Sequence, residues 1–110
     1  MIITKEEREG KVIVRSEGRL DAMTVSQLEN FLNDLVERKM YEIALDFGKI
    51  EYLSSAGMRL LLSMSKRLKK SNGHLMLFAI QDDVMEIIRM AGFEQILSIY
   101  PDERQAIAKQ

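Results

Sequence analysis

Ile50-Glu51-Tyr52-Leu53-Ser54-Ser55-Ala56-Gly57-Met58-Arg59-Leu60 is the segment on which the reading of this chain turns. It reads as the end of an apolar strand region, a short turn bearing two hydroxyls, and the start of a helix. Just upstream, Ile43-Ala44-Leu45-Asp46-Phe47 is a nearly continuous apolar run, as expected of a strand buried on both faces. Downstream, Met58, Leu61, Leu62, Ser65 and Leu68 recur at helical spacing, and Asn72-Gly73 supplies a stop signal. Ser54 and Ser55 therefore sit where a helix begins. Unpaired backbone N–H groups and the positive end of the helix dipole favour a negative group there. A serine at such a place can cap the helix, or it can carry a phosphate.

Working outward, Ile2-Ile3-Thr4 through Arg8 and Lys11 through Ser16 read as two strands joined by a tight Glu9-Gly10 hairpin turn. Gly18-Arg19-Leu20-Asp21 breaks that pattern and leads to a helix. Thr24 and Gln27 have capping-box spacing, and Val25, Leu28, Phe31, Leu32, Leu35 and Val36 form one apolar face. Beyond Gly73, Leu75-Met76-Leu77-Phe78-Ala79 reads as another buried strand. Asp82 and Asp83 open a helix with Val84, Ile87, Ile88 and Ala91 inward, ended by Gly92. Ile96-Leu97-Ser98-Ile99 is a last short strand, and Pro101-Asp102 starts a C-terminal helix. The predicted order is ββαβαβαβα. Right-handed crossovers between apolar strands then give an α/β fold with a mixed, mainly parallel sheet and an N-terminal β-hairpin. Sites in such sheets lie beyond the carboxyl ends of the strands, which is where the two serines fall.

The 110 residues are 46% hydrophobic and 30% charged, so residues 1–110 are expected to form a single domain. There is no cysteine, which excludes disulfides, cysteine-ligated zinc and thiol nucleophiles together. The start Met1-Ile2-Ile3-Thr4-Lys5 turns charged at once, unlike a secretory leader, and a cytoplasmic location is expected. No apolar run approaches the roughly 18 residues that span a bilayer. The net charge of −1 argues against nucleic acid or an anionic membrane as a partner.

Candidate chemistry is sparse. Asp46 ends a buried strand where receiver domains keep a phospho-accepting aspartate, but the acidic pair and the lysine of a receiver are missing. His74 is the only histidine and reads as a solvent-edge residue, without acidic company in the sequence. Leu53-Ser54-Ser55-Ala56-Gly57 does not match a nucleophile elbow, and no glycine-rich phosphate loop occurs. No enzyme, metal or cofactor is expected. Lys66, Arg67, Lys69 and Lys70 complement a helix C-terminus on a solvated face. Gly57 costs a helix about 1 kcal/mol relative to alanine, which points to a close approach of some other group to the backbone. Met23 and Met58 flank the serine turn in this topology, and exposed methionines there would give an adaptable binding surface.

The order of elements, with Gly18-Arg19-Leu20-Asp21 before the first helix and Tyr52-Leu53-Ser54-Ser55-Ala56-Gly57-Met58-Arg59 before the second, resembles bacterial anti-sigma-factor antagonists of the STAS domain family over essentially the full chain. The resemblance implies a phosphorylation switch. The unmodified protein binds an anti-sigma factor with serine kinase activity and so frees a sigma factor. The kinase phosphorylates a serine at the start of the second helix, and a metal-dependent, PPM-type serine phosphatase reverses it. The family motif is Asp-Ser-Ser/Thr-Gly, and alignment on Gly57 puts the phosphoacceptor at Ser55. Ser54 stands in place of the motif aspartate and Ala56 in place of its second hydroxyl. Asp21 matches a family position near the partner interface, and partner contacts are expected from it together with Met23, Ser54, Ser55, Ala56, Gly57, Met58 and Arg59. Two other readings stay open. One is a non-catalytic STAS scaffold or adaptor of a stress-signalling or transporter complex, with Ser55 only a helix cap. The other is a small-ligand binder, signalled by an apolar cavity of several hundred Å³ beside the turn.

Overall fold

Strands form where apolar residues line one or both sides of an extended chain, and the computed structural model, which describes residues 1–108, shows five of them. The elements are β1 (Ile2–Arg8), β2 (Lys11–Leu20), α1 (Val25–Glu37), β3 (Glu42–Leu53), α2 (Ser55–Lys70), β4 (His74–Phe78), α3 (Asp82–Met90), β5 (Ser98–Tyr100) and α4 (Glu103–Ala108). The order is the ββαβαβαβα expected from the sequence. The strands make one sheet in the order β1-β2-β3-β4-β5, antiparallel between β1 and β2 and parallel thereafter. Glu9 and Gly10 both have positive φ, 55° and 81°, the pairing a two-residue hairpin turn requires.

Helices α1, α2 and α3 pack on one side of the sheet. Leu28, Leu32 and Leu35 of α1, Leu61, Met64 and Leu68 of α2, and Val84 and Ile88 of α3 meet Val12, Val14, Ile43, Leu45 and Phe47 there. Short α4 covers part of the other side, where Ala106 and Ile107 bury Ile13, Ala44, Met76 and Phe78. Arg15 ties this helix down. Its guanidinium reaches Asp46 at 2.8 Å, Glu103 at 3.0 Å and Glu6 at 3.1 Å. Glu103, then Asp46 and Glu6, raise the Arg15 pKa further above its ordinary value, against the desolvation that opposes them.

Several local expectations need correcting. β3 does not stop at Phe47 but runs on to Leu53, paired to β2 throughout and to β4 only as far as Asp46. Thr24 does not build a capping box: its hydroxyl donates to Arg19 O (2.6 Å) and accepts from Asp21 N–H (3.0 Å), bracing the loop instead. Asn72, with φ 62°, takes the left-handed position that ends α2, while Gly73 is needed for space. A Cβ on Gly73 would lie 2.2 Å from Tyr41 O. Ala91 is exposed and not inward. His74 has acidic company after all, its Nδ1 lying 3.0 Å from the Glu42 carboxylate across the β3–β4 register. No helix among the described residues is long and apolar enough to cross a membrane.

Candidate functional site

The serine turn sits at the carboxyl end of β3, beside the carboxyl end of β2. Ser54 has extended backbone (φ −91°, ψ 174°), and its Oγ accepts the Gly57 N–H at 3.3 Å. Its carbonyl accepts the Met58 N–H at 2.9 Å, the first bond of the helix, and its own N–H donates to Leu20 O at 2.9 Å. Ser54 is therefore the cap of α2 and also ties that helix to β2. Ser55 is the first helical residue, exposed, and its hydroxyl makes no hydrogen bond among the described residues. One serine is committed to the fold and its neighbour is left to solvent.

Gly57 answers to the chain itself. A Cβ there would lie 2.8 Å from Leu20 Cγ, 2.8 Å from Leu53 Cδ1 and 3.0 Å from Leu20 O. The close approach inferred from its sequence cost is that of α2 to the ends of β2 and β3, and the residue is buried. Met58 is 4% exposed and belongs to the core, whereas Met23 is 87% exposed. The expected pair of exposed methionines is therefore reduced to Met23. Ala56 is half-buried and Arg59 exposed.

The loop between β2 and α1 borders the same end of the sheet. Asp21 O accepts the N–H groups of Thr24 (3.1 Å) and Val25 (2.9 Å), and Asp21 Oδ1 accepts that of Met23 (2.9 Å). Arg19 Nε donates to Asp21 Oδ2 at 3.3 Å. The Met23 N–H above all, helped by Arg19 and Thr24 and opposed by desolvation, holds the Asp21 carboxyl below its usual range. The Arg19 guanidinium lies over the Tyr52 ring, 4.3 Å from its centroid. Sequence reasoning assigned Arg19 and Tyr52 no role beyond their place in the two motifs, and Thr24 only that of a helix cap.

On its other flank the turn borders an open, mostly apolar cleft of about 250 Å³ between α2 and the α3 region, lined by Ser54, Ser55, Met58, Arg59, Leu62, Ile87, Ala91 and Phe93. It falls short of the roughly 300–1,000 Å³ of pockets that enclose a small molecule. The remaining candidates lie elsewhere. His74 is at the opposite, N-terminal end of β4. Asp46 is engaged by Arg15 and by the Gly48 N–H at 2.9 Å. Arg67 bonds Asn33 of α1. Among the described residues, no group of three or more His, Cys, Asp or Glu is placed to hold a metal.

The STAS domain family model matches residues 3–106. The chain belongs to the STAS domain family. This STAS domain is 33% identical over 110 residues to BtrV of Bordetella bronchiseptica, provisionally named an anti-sigma factor antagonist, covering 98% of this chain and 92% of that protein. A Thermotoga maritima structure, also provisionally named an anti-sigma factor antagonist, superposes with a TM-score of 0.90 at 16% identity, covering 96% of this chain and 91% of the other. The anti-sigma factor antagonist SpoIIAA in its unphosphorylated form gives a TM-score of 0.79 at 20% identity, covering 96% and 93%. The phosphorylated form of SpoIIAA, from Bacillus, gives 0.72 at 19% identity, covering 96% of each chain. At these identities the structural likeness shows the STAS fold, including its N-terminal hairpin and mixed five-stranded sheet.

Proposed function

We propose that this STAS domain is an anti-sigma factor antagonist whose unphosphorylated form binds an anti-sigma factor with serine kinase activity, releasing a sigma factor, and that phosphorylation of Ser55 ends the interaction. The observation that carries the proposal is the division of labour between the two serines. Ser54 supplies the cap, so Ser55 is exposed and has no structural duty that a modification would break. The names of the relatives support the same reading.

In the modification, the Ser55 hydroxyl oxygen attacks the γ-phosphorus of ATP. The bond from that phosphorus to the β-phosphate oxygen breaks, ADP leaves, and the hydroxyl proton passes to a base of the kinase. A PPM-type phosphatase returns the serine by hydrolysis. This chain supplies the acceptor and no catalytic group of its own, and it works in the cytoplasm. The added charge of roughly −1.5 to −2 sits at a helix N-terminus, where the fold tolerates it. A partner pressed against Ser55 must strip water from that charge, which dissociates a transient interface. Met23, Asp21 and Arg59 border that surface from the two sides of the turn, while Gly57 and Met58 shape it from beneath.

A pull-down from host lysate with ADP present tests the proposal, using wild type, Ser55→Ala and Ser55→Asp as baits. The expected result is that wild type and alanine retain an ATPase-type kinase and aspartate releases it. Identical partners on all three baits would refute the switch.

A further inference from the structure

Ser55 and Arg59 stand one helical turn apart on α2, and both line the cleft between α2 and the α3 region. Residues at this spacing have Cβ atoms roughly 5–6 Å apart, and long helical side chains lean back toward the N-terminus, which carries an arginine over the residue four positions earlier. Arg59 is exposed, and among the described residues its guanidinium has no hydrogen bond or ion pair. Arg8, Arg15, Arg19, Arg38, Arg67 and Arg89 each have an acceptor, while Arg104 on α4, away from the serine turn, is the other arginine with none among the described residues. The other residues lining the cleft carry no charge, so Arg59 is the charged member of its rim.

We infer that Arg59 is the intramolecular receptor for a phosphate on Ser55, pairing with it across the rim of the cleft. The inference rests on Ser55 being the phosphoacceptor. Of the first-turn N–H groups, that of Gly57 is already taken by Ser54 Oγ, which leaves a phosphate on Ser55 those of Ser55 and Ala56 as backbone donors. A guanidinium adds two parallel donors to phosphate oxygens, the strongest geometry available at a surface. Among the described residues no competing acid lines the walls of the cleft, where α3 presents Ile87 and the chain beyond it Ala91 and Phe93. Across the turn, Asp21 is already engaged by the Met23 N–H and Arg19. The switch then works twice over. It places a dianion at the turn, and it withdraws from any partner the cation that the unmodified rim displays.

The test installs phosphoserine at position 55 during translation, in the otherwise wild-type chain and in its Arg59→Lys and Arg59→Gln variants, and titrates the phosphate by phosphorus NMR. With Arg59 present, the second phosphate ionisation is expected about 0.2–0.4 pH unit lower than in Arg59→Gln, with Arg59→Lys between them. Coincident curves for arginine and glutamine would overturn the inference. Because the phosphate is installed without a kinase, that failure speaks against Arg59 alone. A kinase that leaves Ser55 unmodified would speak against the phosphoacceptor reading instead.

Discussion

Replacing Gly57 with alanine adds one methyl group at the tightest point of the serine turn. The new Cβ would lie 2.8 Å from both Leu20 Cγ and Leu53 Cδ1 and 3.0 Å from Leu20 O. Neither leucine can swing away, since Leu20 is 0% and Leu53 1% exposed. The carbonyl cannot yield freely either, because it accepts the Ser54 N–H that ties α2 to β2 at 2.9 Å. Overpacking of this kind costs about 1–3 kcal/mol, and with three fixed neighbours the upper end applies. Helix propensity returns at most about 1 kcal/mol, leaving a net loss of about 2 kcal/mol. For a chain of this length the melting temperature should fall by about 8 °C. Urea unfolding followed by circular dichroism should show a lower midpoint with an unchanged slope. Ala56→Gly is the control: it relieves no clash and loses only propensity, about 1 kcal/mol or less. A Gly57→Ala protein as stable as wild type would mean that α2 does not seat against β2 and β3 as described. The serine geometry would then lose its foundation.

Other substitutions probe the same turn. Ser54→Ala should lower unfolding stability by about 0.5–1 kcal/mol through loss of the cap, whereas Ser55→Ala should stay within about 0.5 kcal/mol of wild type; equal losses in urea titrations would refute the division of labour. Asp21, held below its usual range by the Met23 N–H and Arg19, stabilises the fold above the unfolded carboxylate range near pH 4, and that contribution is lost as pH falls below it through the lower folded value. Asp21→Asn should therefore flatten the fall in urea midpoint below about pH 4, and an unchanged pH profile would contradict the hydrogen bonds seen at this carboxylate.

Element order was readable because each buried strand is a run of apolar residues and each helix carries an apolar stripe. The continuity of β3 past Phe47 was not, and the register explains why. Between Arg15↔Asp46 and Glu17↔Lys49 the chain of β3 advances three residues against two of β2, and it gains another between Gly18↔Ile50 and Arg19↔Tyr52. These bulges turn Phe47, Ile50 and Leu53 inward at a spacing of three, so the continuous apolar run ends at Phe47. The Thr24-Gln27 spacing misled for a related reason. A threonine hydroxyl can serve a neighbouring strand's carbonyl as readily as a helix N–H, and Arg19 O was within its reach. At the site itself, sequence located both serines but could not apportion their roles, since adjacent hydroxyls at a helix start are equivalent until the backbone places one at the cap. For Gly57 the helix cost signalled a close approach, but not to what, because one of its two neighbours, Leu20, comes from a strand distant in sequence.

How far a phosphate on Ser55 would disturb the fold follows from what surrounds the residue. Insertion of charge damages a structure when it desolvates the new group, breaks a bond already made, or opposes the local field. Ser55 is exposed, its hydroxyl makes no bond among the described residues, and the helix dipole at this end is positive. The same charge on Ser54 would displace the cap and press on the Leu20–Ser54 tie, coupling modification to the seating of the whole helix. The position one residue further on is what permits a change of surface without a change of core. Amide resonances should accordingly shift on phosphorylation around residues 20–24, 52–62 and 87–93 and stay in place along β1, β4 and α4. Shifts spread through those distant elements would show that the phosphate reorganises the domain, and a switch confined to the surface would be excluded.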